Sequence, residues 1–262
     1  MKHTFVICAY KESEYLEECI VSLKKQTVQS KIIMMTSTPN EHIKRIAHKY
    51  GIELFVNEGQ GGIAQDWNFG IEQCKTKYIT IAHQDDTYEP EYLENALQSI
   101  ENTKSPIIIF TDYGEIRNGD ICDNSPLLSV KRKMLLPLKL RFLWSNRFIR
   151  RRILGLGNPI CCPSVTYNMS MLNKPLFDVG LGSNLDWQTW EKMSRIKGRF
   201  VYIPKVLMHH RIHEESTTSE LINSNKRTLE DFEMFLKFWP RPIAKILTKI
   251  YSKSEKYNST NG

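Results

Sequence analysis

Short apolar runs alternate with stretches of helical spacing through the first half of the chain. Thr4 to Ala9 is an apolar run of the kind a strand buried on both faces requires. From Glu14 to Gln26, residues Tyr15, Leu16, Cys19, Ile20 and Leu23 then recur at the spacing of one helix face. A second run, Lys31 to Met35, passes through the turn-rich Thr36-Ser37-Thr38-Pro39-Asn40 into a helix carrying Ile43, Ile46 and Ala47 and closed by Gly51. Ile52 to Val56 gives a third strand. The glycine cluster Gly59, Gly61 and Gly62 precedes a helix over 64–74, and Tyr78 to Ala82 and Ile107 to Phe110 supply two further strands. Alternation of this length predicts an α/β fold with a mostly parallel, Rossmann-like sheet flanked by helices. Ligands of such sheets bind beyond the carboxyl ends of the strands, which points to Ala9-Tyr10, Thr36 to Asn40 and His83 to Asp86.

The second half reads differently. Between Val130 and Leu154, nine Lys or Arg residues are interleaved with Leu, Phe, Trp and Ile. Order resumes over 157–167 and in a helix beginning near Leu185. In the tail, Ile243, Ile246, Leu247, Ile250 and Tyr251 follow i, i+3, i+4, i+7, i+8 spacing, with Lys245, Lys249 and Lys253 on other faces, which predicts a basic amphipathic C-terminal helix.

At 262 residues the chain suits one large α/β domain with an extension. Its net charge of +7 favours anionic partners without choosing among nucleotide phosphates, lipid pyrophosphates, acidic leaflets and nucleic acid. No nucleic-acid module is recognisable, so no nucleic-acid partner is expected. The apolar run after Met1-Lys2-His3 is too brief for a signal peptide or a membrane span, which predicts a cytoplasmic protein. With no secretion signal and no C-x-x-C spacing, the six cysteines read as reduced thiols.

His83-Gln84-Asp85-Asp86 places adjacent carboxylates at the end of an apolar strand, where they either hold a hard divalent cation or form an Asx turn before the next helix. With this segment in view, the chain resembles the family 2 glycosyltransferases. The likeness runs through Phe5 to Glu12 with Leu16, Cys19, Ser22, Leu23, Gln26 and Thr27, then Asn57-Glu58-Gly59-Gln60-Gly61-Gly62-Ile63 and Trp67-Asn68-Phe69-Gly70. It continues through Tyr78 to Tyr92, Asn184-Leu185-Asp186-Trp187 and Arg211 to Thr218. It implies a GT-A fold, a nucleotide-diphosphate sugar donor with UDP preferred, Mn²⁺ or Mg²⁺, and inversion at the anomeric carbon.

The resemblance also implies roles. Asp86 matches the metal-binding aspartate and His213 a metal or phosphate contact. Ala9, Tyr10, Glu12, Thr36, Ser37, Gly62 and Asp85 fall on the donor side. Asp186 matches the catalytic base, and a carboxylate suits that task because an acceptor hydroxyl must lose its proton as it attacks. Two positions depart from the pattern: β-strand two ends in Thr36-Ser37 where acidic residues usually meet the base, and His83 stands in place of the first aspartate of the metal motif. Trp187 and Trp190 read either as a sugar platform or as core. Glu214 to Thr218 read as a loop over the donor or a plain surface loop.

The expected organisation is a catalytic domain over 1–220, with a nucleotide-sugar part over 1–112 and an acceptor part over 113–220 containing the basic segment 130–154, followed by a helical tail over 221–262. The acceptor expected is a saccharide or lipid-linked glycan of a cell-surface polysaccharide such as capsule or O-antigen. The basic segments then either meet an anionic membrane surface on the inner face of the cell membrane, or pack on the domain or across a homodimer. The rival functions are a sugar nucleotidyltransferase and a catalytically inactive sugar- or nucleotide-binding scaffold of the same fold.

Overall fold

The computed structural model describes residues 1–212 and 225–260. β1 (His3–Cys8), β2 (Lys31–Thr36), β3 (Glu53–Val56) and β4 (Tyr78–His83) are parallel and lie in the order β3-β2-β1-β4. β1 and β4 are buried along nearly their whole length, so they read as apolar runs and not as alternation. α1 (Leu16–Lys24), α2 (Glu41–Tyr50) and α3 (Ile63–Glu72) connect them. α2 starts where the Asn40 side chain accepts from Ile43 N at 2.8 Å, buries Ile43, Ile46 and Ala47, and stops at Gly51, whose φ of 60° is left-handed. Because β2 lies on one side of β1 and β4 on the other, the strand order reverses at β1/β4 and opens a crevice beyond their carboxyl ends.

The rest of the sheet is mixed where a mostly parallel one was expected. It comprises β5 (Thr87–Tyr88), β6 (Pro106–Arg117), β7 (Asp120–Cys122), β8 (Val165–Asn168) and β9 (Arg199–Ile212), with α4 (Tyr92–Glu101), α5 (Pro126–Leu135), α6 (Arg147–Leu154) and α7 (Leu185–Ser194) among them. β8 inserts antiparallel between β4 and β6, β9 runs parallel to β6, and β5 pairs antiparallel with β9. The expected strand Ile107–Phe110 is only the apolar start of β6. Its continuation carries Asp112, Glu115 and Arg117, which an apolar-run criterion passes over. Register shifts at Thr111/Asp112 and Asp112/Gly114 bend the β6·β9 pair past the top of the sheet, where His209 lies opposite both Gly114 and Thr87.

α8 (Asn225–Leu236) and α9 (Arg241–Thr260) complete the described chain. Trp187 on α7 is fully buried among Phe235, Phe238 and Tyr251, with ring centroids at 5.1, 6.4 and 5.7 Å, and its indole donates to Leu154 O at 3.0 Å. Trp190 is also fully buried, stacked on Tyr167 at 5.8 Å. Both tryptophans are core, which removes the sugar-platform reading.

The apolar stripe expected on the tail helix divides. Ala244, Leu247, Thr248 and Tyr251 turn inward, with the Thr248 hydroxyl donating to Ala244 O at 2.9 Å. Ile243, Ile246 and Ile250 stay exposed. The basic block divides likewise. Arg150 is buried and donates to Gly198 O, Ser194 O and Ile196 O at the end of α7, while Arg151 pairs with Glu191.

Gly70 fixes how closely α3 lies on the sheet, because a Cβ there would stand 2.6 Å from Val6 Cγ1 and 3.0 Å from Met35 Cγ. Gly70→Ala is expected to destabilise the fold by about 1–3 kcal/mol through overpacking. Urea denaturation reads this as a lower midpoint at unchanged slope.

Candidate active site

β4 delivers the turn Gln84-Asp85-Asp86 to the crevice, and the Asp86 amide closes it by donating to His83 O at 3.3 Å. The Asp86 side chain is fully buried. Its Oδ1 accepts from His210 Nδ1 at 2.9 Å and from the Arg211 amide at 3.0 Å, so β9 supplies both donors. Its Oδ2 lies 3.7 Å from His83 Nδ1 and has no hydrogen-bond partner among the described residues. Arg211 braces the turn by donating from Nε to Asp85 O at 2.9 Å, pairing with Glu18 at 2.5 Å, and lying over Tyr15. The His83 ring is stacked on Trp67 at 5.2 Å.

A buried carboxylate oxygen without a donor is costly, and a cation satisfies it. His83, Asp86 and His210 each offer one ligand atom, and the three lie within 4.8 Å of one another. One carboxylate oxygen with two imidazole nitrogens fits Mn²⁺ better than Mg²⁺, which prefers oxygen alone. His213, the histidine singled out from the sequence, lies outside the described residues, as does the 214–218 loop. His210 is the one brought onto Asp86, and which histidine of the strand end faces inward depends on the β6·β9 register. Burial works against a charged His210, but the Asp86 charge and hydrogen bond, with Asp85 and Glu115 behind them, push its pKa up to about 9.

At the end of β1, Ala9 is buried and ties β1 to β2 through its amide, which donates to Met35 O at 2.9 Å. Tyr10 is half exposed, and its backbone is clasped by Gln84 in two 2.9 Å bonds, amide to Oε1 and Nε2 to carbonyl. Lys11 donates from its amide to Thr38 Oγ1 at 2.7 Å, and Glu12 is exposed. Thr36 is fully buried and accepts from Thr38 N at 3.0 Å, so it shapes the turn and does not face the crevice. Ser37 is only partly buried, and its hydroxyl donates to Asp66 Oδ2 at 2.6 Å. Asp66 comes from the first turn of α3, which starts at the exposed Gly62, and Asn57 donates to its other oxygen at 2.8 Å. Sequence reading missed Asp66, because only the fold sets α3 against the end of β2.

Across the crevice, Asp186 opens α7 and accepts from Asn158 Nδ2 and from the Trp187 amide, each at 2.7 Å. Burial raises its pKa above the usual aspartate value, with those two bonds and the charges of Lys131 and Arg227 pulling the other way. Glu230 on α8 secures the preceding turn by accepting from Gly182 N, Ser183 N and Asn184 N at 2.8, 2.8 and 3.2 Å. Burial works against its charge, but the Ser183 hydroxyl, donating to it at 2.6 Å, together with those amides, holds its carboxyl below the usual range. Burial also raises the Cys161 thiol, and the charges of Asp86 and Asp186 both add to that rise, so Cys161 lies near both carboxylates. All six cysteines are free.

Solved structures with this fold include S. aureus TarS 1-349 in complex with UDP-GlcNAc, at a TM-score of 0.64 and 16% identity over 95% of this chain and 70% of that one. The mannosyltransferase PcManGT from Pyrobaculum calidifontis in complex with GDP-Man and Mn²⁺ superposes at 0.64 with 13% identity, over 96% of this chain and 69% of that one. The architecture is that of a GT-A glycosyltransferase. Residues 4–175 match the family described as Glycosyl transferase family 2, and the chain belongs to that family. An uncharacterized glycosyltransferase of Rickettsia prowazekii is 25% identical over 241 residues, covering 88% of this chain and 69% of its own. Glycosyltransferase GlyG of Streptococcus pneumoniae is 28% identical over 114 residues, covering 41% and 38%.

With the His210 pKa raised to about 9, a cation that took its imidazole would have to displace a proton, which makes any cation binding at this cluster pH-dependent. Mn²⁺ affinity measured by calorimetry is expected to rise about tenfold per pH unit from neutrality and to level off near the His210 value of about 9. His210→Ala is expected to flatten that slope as well as weaken binding.

Proposed function

We propose that the chain transfers a sugar, with inversion, from a nucleotide-diphosphate sugar to a hydroxyl of a saccharide or lipid-linked glycan, in the assembly of a cell-surface polysaccharide. The observation that carries this reading is the pairing of two carboxylates of opposite character on one crevice. Asp86 is fully buried with one oxygen that has no partner among the described residues, and Asp186, whose charge also reaches Cys161, has a raised pKa. The relatives solved with UDP-GlcNAc and with GDP-Man and Mn²⁺ support a nucleotide-sugar donor and a divalent cation here.

In this reading the Tyr10 and Ser37 edges hold the nucleoside, and the half-exposed Tyr10 ring, with the Lys11 ammonium now over it at 5.0 Å, stacks on the base. His83, Asp86 and His210 would hold the cation, which supplies neutralisation of charge developing on the leaving diphosphate. The acceptor oxygen bonds to the anomeric carbon on the face opposite the diphosphate as the carbon–phosphate-oxygen bond breaks. The hydroxyl proton passes to Asp186, and the nucleoside diphosphate departs with the bonding electron pair. Asn158 and the Trp187 amide hold the Asp186 carboxylate by one oxygen each. A base whose pKa lies above the ordinary aspartate value of about 3.9 accepts a proton more readily.

The surface left after packing supports attachment to an anionic leaflet. Leu140, Phe142 and Phe148 are exposed beside the exposed Lys139, Arg141 and Arg147, and Ile243, Ile246 and Ile250 beside Lys245 and Lys249. No described helix is long and apolar enough to cross a membrane. Flotation with anionic vesicles is expected to show binding that salt reverses, and equal binding to neutral vesicles would refute the attachment.

Assay of sugar transfer or donor hydrolysis across UDP-, GDP- and dTDP-sugars with Mn²⁺ tests the proposed reaction. Asp186→Asn is expected to reduce turnover by about 10²–10⁴-fold with donor affinity retained. Asn158→Ala removes a bond that favours the ionised carboxylate, so the acid limb of the pH–rate profile should move to higher pH. Full turnover in Asp186→Asn would contradict its role as base.

A further inference from the structure

α5 turns one face inward, and the middle of that face is a lysine. Leu128 and Leu135 are buried, and Lys131 stands between them at the i, i+3, i+7 spacing of one helix face, where apolar residues are the rule. Its ammonium donates to Tyr113 Oη at 2.8 Å, and among the described residues no carboxylate lies within ion-pair reach of it. The phenol takes one of three ammonium protons. Other cations of the same basic block are committed: Arg132 to Asp112, Asn124 and Tyr113 O, Arg150 to three carbonyls, and Arg151 to Glu191.

Contacts on both sides place Lys131 at the crevice. Tyr113 lies two residues before Glu115 on β6, and Glu115 stands opposite His210 of the cation cluster. One turn along α5, Met134 Cε lies 3.6 Å from where a Gly157 Cβ would stand, and the next residue, Asn158, donates to Asp186. Burial raises the pKa of Asp186 and of Cys161, and the Lys131 charge is among those that pull both the other way.

Resting on the sugar-transfer reading above, we infer that Lys131, held by Tyr113, receives an anionic group of the acceptor, phosphoryl or carboxylate, beside the hydroxyl that Asp186 deprotonates. The donor diphosphate is matched by the cation at His83, Asp86 and His210, and Lys131 stands on the Asp186 side, which assigns its anion to the acceptor. A half-buried ammonium facing a phenol is an incomplete pair, and an anion completes it with charge-assisted hydrogen bonds that a neutral acceptor cannot make. The contact therefore selects as well as holds. An anion on Lys131 also removes part of the positive field on Asp186, so the carboxylate takes up a proton more readily once the acceptor is seated.

Calorimetric titration into the protein saturated with UDP and Mn²⁺ tests this with glucuronate against glucose and glycerol 1-phosphate against glycerol, pairs that differ by the anionic group. The native protein is expected to prefer the anionic member of at least one pair by about tenfold, and which pair shows it tells carboxylate from phosphoryl. Lys131→Gln is expected to abolish that preference and Lys131→Arg to keep it, with UDP affinity retained in both and the fold monitored by circular dichroism. No preference in either pair for the native protein, or a preference that survives Lys131→Gln, would overturn the inference. Loss of UDP affinity in Lys131→Gln would move Lys131 to the donor and overturn it as well. Failure of the native protein to bind UDP with Mn²⁺, seen before any probe is added, would overturn the donor reading itself.

Discussion

A carboxylate removed from water has to be given donors or a cation, and the buried Asp86 imposes that requirement on the whole upper half of the molecule. The parallel strands deliver it to the crevice but have no donors left to offer, since their own amides are committed to the ladder. The donors come from β9, through the His210 ring and the Arg211 amide, and β9 reaches them only because the β6·β9 pair is bent by its register shifts. The short β5·β9 pairing, the Arg211 brace on Asp85 and the Arg211–Glu18 pair follow from the same approach. The mixed half of the sheet is therefore what completes the site that the parallel half begins.

Asp186 is treated by the same logic with different means. It is held by Asn158 and the Trp187 amide instead of by a histidine, and its turn is secured by a carboxylate on a C-terminal helix. α8 and α9 thus contribute to the geometry of the crevice through Glu230 and through the aromatic packing around Trp187. The faces they leave exposed are a separate matter, free to serve an interface without disturbing Asp186.

Much of this was legible in the sequence because the responsible forces are local. Strands buried on both faces must be apolar runs, Asn40 and Gly51 bracket a helix by their own chemistry, and Asp86 and Asp186 stand where a strand end and a helix start put them. What escaped notice depends on contacts far apart in the chain. Asp66 gains meaning only from Ser37 and Asn57, brought to it by the β2 and α3 packing. Thr36 and Ser37 are neighbours, yet Thr36 ends β2 fully buried while Ser37, just past it, is partly exposed. The choice of His210 at Asp86 turns on bulges that no apolar pattern encodes, and β8 enters antiparallel after an excursion of more than forty residues from β7. The tail stripe was right in period and displaced in phase, because a satisfied Thr248 can take an inward position that an isoleucine was expected to hold.

The central claim is that Asp86, presented by β4 and held by β9, makes a cation-dependent nucleotide site. Calorimetric titration of UDP with and without Mn²⁺, in the native protein and in Asp86→Ala, tests it most directly. The expected result is binding that requires the metal in the native protein and disappears in the variant while the fold persists. UDP binding of equal strength in all four combinations would contradict it.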